Sequence, residues 1–246
     1  MAVREHNRIA QGLKAINQEW DGEKVFYETR KIVAAQHQHI TYNEFLPEIL
    51  DQSYIDRYGL KLEDKGFYTG YNSSIDPSIA SSFAAASFRF GHSQIQDLMS
   101  RYGKKYQKKY APFPTKDYFN PAQMYDVSHG GIDGLIRGLV KDHSQKVDGS
   151  FAKAVQQELI RGPGDLSDLA AINIQRGRER GLPGYNTFRS LCGLQKATSF
   201  DQFKTEIASA VVDKMADVYK HPDDVDLFVG GLLESHVGEG ALGPTF

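Results

Sequence analysis

The sequence predicts a mainly α-helical fold, and three observations carry that expectation. Apolar residues recur at intervals of three and four through most of the chain. Capping residues and Gly/Pro stops punctuate these runs. No convincing period-two ladder and no internal repeat stands out. With 246 residues the chain suits one large domain or two small ones, and residues 1–246 are read as a single partial domain.

The totals exclude several function classes. A formal net charge of −2 gives no support for nucleic acid or an anionic membrane as the main partner. No apolar run reaches membrane-spanning length. The opening Met1 to Arg8 lacks the apolar segment of a signal peptide. The single cysteine, Cys192, rules out an internal disulfide and a cysteine-ligated zinc site. Asn72-Ser73-Ser74 spells a glycosylation sequon.

Taking the elements in order, Arg4 to Asn17 enters a helical pattern with no cap, through Ile9, Leu13 and Ile16. Asp21 caps a second helix that runs through Val25, Ile32 and Val33 to His39. Thr41, with Glu44 three residues on, reads as a capping box for a shorter helix. His37 and His39 are two apart on one helix, about 200° around it, so they do not share a metal ion. Residues 51–75 are loop-rich. Arg101 to Lys109, basic with interleaved tyrosines, reads as a solvated helix end or loop rather than a single-strand nucleic-acid surface.

Gly130 and Gly131 open a further helix, and Phe151, Ala154, Val155 and Leu159 mark another, stopped by Gly162-Pro163-Gly164. Helices are also expected over Asp165 to Arg180, Phe200 to Ala208 and Ala210 to Lys220. The tail Gly238-x-Gly240-x-x-Gly243 mimics a dinucleotide fingerprint, but no strand precedes it and Pro244 follows at once.

Two stretches carry candidate chemistry. The first is Ser81 to Gln96, read as a helix capped by Asp76 or Ser78, with Phe88, His92, Ile95 and Met99 on one side. Arg89 lies one turn from His92. An imidazole beside a guanidinium suits an iron porphyrin, with nitrogen for the metal and a cation for a propionate. Taken alone, the pattern more often marks a packed core histidine than a ligand. The second stretch places Leu169, Ile172, Asn173 and Arg176 on one helix face. The Asn173 carbonyl is expected to accept from His92 Nδ1–H, leaving Nε2 for iron, with Arg176 as a second propionate cation. The plainer alternative is a buried Asn that caps a neighbouring helix and a solvated arginine stripe.

Four stretches stand out in order along the chain: Arg4-Glu5-His6-Asn7-Arg8, Ile40-Thr41-Tyr42-Asn43-Glu44-Phe45-Leu46-Pro47, Phe88-Arg89-Phe90-Gly91-His92, and Leu169 through Arg178 continuing to Gly181-Leu182-Pro183-Gly184-Tyr185-Asn186. Together they resemble the animal haem peroxidase family, its peroxidasin- and myeloperoxidase-like members. The resemblance implies a helical fold around haem b, with His92 as axial iron ligand and Asn173 as its hydrogen-bond partner. Arg89 and Arg176 are implied as propionate contacts. It further implies hydrogen peroxide and a small halide or phenolic donor as substrates, response to oxidative stress, and secretion.

Cyclooxygenases, distant relatives, carry a tyrosine where Arg89 stands, so their chemistry is disfavoured. Members usually read Arg-Asp-His-Gly where this chain has Arg178-Glu179-Arg180-Gly181. The family's distal His, its ester-forming Asp, its calcium loop and its distal Arg-x-x-Glu lie upstream of the Arg4 stretch. The chain is therefore expected to be a central and proximal fragment with poor turnover alone, since general acid–base groups supply about 10²–10⁴-fold. Arg176-x-x-Glu179 shares that spelling on the proximal segment and is read as coincidence.

Overall fold

A computed structural model describes residues 1–118, 120–159, 161–162, 165–166 and 168–246. Helices dominate it, and the chain divides into two compact units. One is Met1–Ser74 with Gly238–Gly240; the other is Ile75–Val237 with Ala241–Phe246.

In the first unit, helix α1 (Ala2–Ile16) starts without a side-chain cap, as its sequence predicts. Glu5 grips Arg8 at 2.8 and 2.7 Å and also accepts from Gln36 Nε2 at 3.1 Å, tying α1 to helix α2 (Gly22–Ile40). Asp21 caps α2 by accepting from Lys24 N–H at 2.8 Å. The expected capping box at Thr41 does not form. Thr41 keeps helical angles, φ −61° and ψ −50°, and its hydroxyl donates backward to His37 C=O at 2.9 Å. A side chain already bonded into the preceding turn cannot start a new one. The helix instead widens into a π turn, Thr41–Phe45, that feeds α3 (Leu46–Ile49). The unbroken α2 keeps His37 and His39 on different sides. Asp51 caps α4 (Gln52–Arg57), and residues 58–74 are loop.

The second unit departs from expectation at its most important segment. Ser81 to Gln96 is not one α-helix. Helix α5 covers only Ser81–Ala85, entered from Ala80 without a side-chain cap. Asp76 spends its carboxylate on Ser78 N–H at 2.9 Å and Ser78 Oγ–H at 2.6 Å, within the loop. At Ala86 the backbone breaks, φ −133° and ψ −76°, and resumes as a 3-10 helix over Ser87–Gln94. Ile95 is extended and Met99 lies on a strand, so the predicted stripe of Phe88, His92, Ile95 and Met99 does not exist.

The basic run is a hairpin rather than a solvated loop. Strand β1 (Leu98–Tyr102) pairs antiparallel with β2 (Lys108–Pro114), with register shifts on both sides of Arg101. Those bulges erase the period-two signal that would have marked the strands. Arg101 is buried and donates from Nε to Ala111 C=O at 2.6 Å, while buried Tyr102 donates to Asp142 at 2.6 Å. After α6 (Ala122–Tyr125), Gly130 takes φ +92° and opens α7 (Gly131–Lys141), which packs on β1.

The helix expected around Phe151 to Leu159 is reduced to a π turn, Ala154–Glu158. Its predicted stop falls partly outside the described residues, at Pro163 and Gly164. Arg161–Gly162 (β3) and Asp165–Leu166 (β4) form a short antiparallel pair. Then come α8 (Leu169–Glu179), α9 (Tyr185–Leu191), α10 (Ser209–Val218) and α11 (Leu227–Leu233). Phe200–Thr205 forms a 3-10 turn where a full helix was expected.

Tyr185, Phe203, Ile207, Val212, Met215 and Val225 close one apolar core beneath these elements. Tyr185 OH donates to buried Glu234 at 2.7 Å, and Thr245 donates to the same carboxylate from N–H at 2.8 Å and Oγ–H at 2.6 Å. Among the described residues no helix is long and apolar enough to cross a membrane.

Candidate functional site

Asp168 starts the site. Its carboxylate accepts from Ala170 N–H at 2.8 Å and Ala171 N–H at 3.4 Å, capping α8 and fixing the phase of that helix. One turn on, Asn173 faces inward and is fully buried. On the facing segment, the 3-10 geometry has three residues per turn, so Arg89 and His92 lie in line on one side. The expected proximity of Arg89, His92 and Asn173 is met, although the element that carries the first two is not the one expected.

The contacts are specific. Asn173 Nδ2 lies 2.9 Å from His92 Nδ1. Arg89 Nη1 donates to Asn173 Oδ1 at 3.0 Å, and Arg89 Nε donates to Ala84 C=O at 3.0 Å. This reverses the expected amide orientation. The carbonyl was to meet the imidazole, but the guanidinium is donor-only and claims the oxygen. The amide nitrogen is left to donate to Nδ1. Among the described residues His92 Nε2 has no hydrogen-bond partner.

Burial first, and then the Arg89 charge, hold His92 below the usual histidine range, against a smaller opposing effect of Asn173. Burial followed by the positive charges of Arg176 and Arg180 lowers Arg89 as well. Three cations thus crowd one corner. Arg176 is partly engaged, since its guanidinium pairs with Glu179 one turn along. The Arg176-x-x-Glu179 spelling is a local ion pair.

Sequence reasoning missed several supports. Arg178 forms a bidentate pair with Asp226 at 2.9 and 2.7 Å, and Tyr219 OH donates to the same carboxylate at 2.8 Å. That cluster ties α8 to the start of α11, and no local pattern announces it. The contribution of Arg180 was also missed. Its place one turn after Arg176 was the only available signal. Phe83 and Phe88 stack with ring centroids 4.9 Å apart while remaining largely exposed, a flat apolar surface on the same segments.

Compared with known protein families, the chain matches animal haem peroxidase over residues 1–246. It belongs to that family. Peroxidasin from Drosophila melanogaster is 42% identical over 99% of this chain, which spans 16% of that protein. Human thyroid peroxidase is 38% identical over 99% of the chain and 26% of its own length. Drosophila chorion peroxidase is 40% identical over all of this chain and 30% of its own. The chain therefore spans less than a third of these relatives and is a partial animal haem peroxidase domain. Among solved structures, peroxidase A from Dictyostelium discoideum superposes with a TM-score of 0.83 at 32% identity, covering 99% of this chain and 44% of that one. A fatty acid alpha-dioxygenase from Arabidopsis thaliana has a TM-score of 0.78 at 19% identity, a likeness of fold alone.

Proposed function

We propose that this chain is the proximal part of a haem-dependent peroxidase that uses hydrogen peroxide to oxidise halide or phenolic donors, with His92 as axial ligand to the iron. The observation that carries the reading is the buried Asn173 amide set 2.9 Å from His92 Nδ1. A ligating histidine is held by an acceptor at its second ring nitrogen, and the Asn173 amide is the group placed there to supply one once its oxygen faces Nδ1. The donor set fits haem b. One imidazole suits a metal whose other positions a macrocycle fills, Arg89 and Arg176 suit two propionates, and Phe83 with Phe88 offers apolar surface to a flat ring.

When bound, haem supplies the iron at which peroxide is reduced and donors are oxidised. The residues of this chain hold and tune that centre. His92 presents Nε2, Asn173 fixes the plane and tautomer of its ring, and Arg89 and Arg176 meet negative charge. A neutral amide leaves the imidazole less anionic than a carboxylate partner would, which favours a higher iron potential. The family reading also implies an extracellular setting, in keeping with the exposed Asn72 sequon.

Titrating the chain with hemin tests this. A Soret shift that disappears in His92→Ala, with peroxide-driven oxidation of a phenolic donor, is the expected result. A Soret shift without turnover reduces the role to that of a haem-binding scaffold. No Soret change at any hemin ratio overturns the reading in favour of a helical interaction protein.

A further inference from the structure

We infer that the tip of the β1–β2 hairpin, with Lys141 beside it, is a docking surface for a sulfated polysaccharide. Residues 101–110 hold five cations and no carboxylate, in a chain whose formal net charge is −2. Arg101 is spent inside the fold, on Ala111 C=O. Lys104, Lys105 and Lys108 are exposed, and none of the three has an ion-pair partner among the described residues. Lys141, exposed in the last turn of α7, joins them. Its Nζ lies 5.2 Å from the centre of the Tyr102 ring and donates to Tyr106 C=O at 3.1 Å. Hydrogen bonds from Ser100 and Tyr102 hold the Asp142 carboxyl below the usual carboxylate range, and the charges of Lys108 and Lys141 add to them. Asp142 therefore offsets part of the lysine charge, and the tip stays positive.

The tip is built before any partner arrives. Gly103 N–H donates to Gln107 C=O at 3.0 Å, and Tyr106 N–H donates to Gly103 C=O at 2.9 Å. Lys105 N–H donates to Gln107 Oε1 at 3.1 Å. Tyr106 takes φ +55°, a left-handed conformation that a bulky residue keeps only where its surroundings hold it. The Lys141 ammonium on its carbonyl supplies that hold. The lysines thus leave a fixed backbone, and binding orders side chains without ordering a loop.

The aromatic residues decide the class of polyanion. Single-stranded nucleic acid stacks its bases on open aromatic faces. Tyr102 is buried with Lys141 over its ring, which leaves Tyr106 alone at the tip. An anionic bilayer is held durably when an apolar anchor accompanies the charges. Residues 103–108 offer no aliphatic side chain for that purpose. Sulfates spaced along a sugar chain need only compact, hydrated point charges, which lysines are. This reading does not depend on haem.

The test is titration of the full chain with fluorescently labelled heparin over a salt series. Wild type is expected to bind, with affinity falling as salt rises, and heparin stripped of its sulfates is expected not to bind. Combining Lys104→Gln, Lys105→Gln and Lys108→Gln should reduce the slope of log affinity against log salt by about three, roughly one per lysine. Combining Lys61→Gln, Lys65→Gln and Lys220→Gln changes net charge equally and should leave the slope as it is. Tyr106→Gly keeps every cation and suits the left-handed position, so it should match wild type. Undiminished binding in the hairpin triple variant, equal loss in both triple variants, or loss in Tyr106→Gly overturns the inference. Tighter binding to an oligothymidylate or to phosphatidylserine vesicles at the same salt overturns it in favour of nucleic acid or membrane.

Discussion

Arg178 on α8 clamps Asp226 with two parallel hydrogen bonds, 2.9 and 2.7 Å long, between residues 48 positions apart. The pair sits beside the turn of helix that carries Asn173, so it fixes where that amide lies. Asp226 is mostly shielded while Arg178 is exposed, and solvent weakens the pair. Replacing Arg178 by Gln is expected to cost about 1 kcal/mol of stability, read as a lower urea midpoint. Hemin affinity should fall in the same variant, because α8 loses a fixed point.

Asn173→Asp should lower the reduction potential of the hemin-loaded chain. A carboxylate accepting from Nδ1–H makes the imidazole a stronger donor and favours ferric iron. Spectroelectrochemistry of wild type and variant gives the sign directly. An unchanged potential would mean that the residue does not reach the ligand.

Gly138 is needed for close packing. A Cβ there would sit 1.9 Å from the Ser100 carbonyl oxygen, a backbone atom of β1 that cannot swing aside. Gly138→Ala should therefore destabilise by about 1–3 kcal/mol, although alanine favours helix. A thermal melt that rose would refute the packing of α7 on the hairpin.

Glu234 makes stability depend on pH. Burial raises its pKa above the ordinary 4.5, against donation from Thr245 and Tyr185. The folded chain then binds more protons than the unfolded one between 4.5 and that higher value. Stability is present below the unfolded pKa and falls as pH rises through the folded one. Denaturant midpoints measured across this window should decline with pH in wild type. Glu234→Gln should flatten that decline even if it lowers the midpoint overall, because one Gln atom then donates toward the Thr245 N–H.

Much of the helical framework was legible because its signals are local. Asp21 caps its helix as read, and Gly130 opens α7. The face shared by Asn173 and Arg176 follows from spacing alone. Three features resisted sequence reading. The break at Ala86 has no glycine or proline to announce it. The β1–β2 hairpin hides behind bulges beside Arg101. The orientation of the Asn173 amide depends on a partner 84 positions away, and no window of sequence contains both. Pairing His92 with Asn173 was possible because each is an uncharged polar side chain set among apolar ones in its own stretch of sequence.

The short 3-10 segment limits how the site can be transplanted. Three residues make a full turn there, so Arg89 and His92 stack in register. In a straight α-helix the same spacing would splay them by about 60°. A designer who grafts this pentapeptide onto an ideal helical bundle would keep every letter and lose the alignment. The portable unit is the kinked backbone from Ala84 to Gln94, and an engineered copy must include the break as well as the residues that follow it.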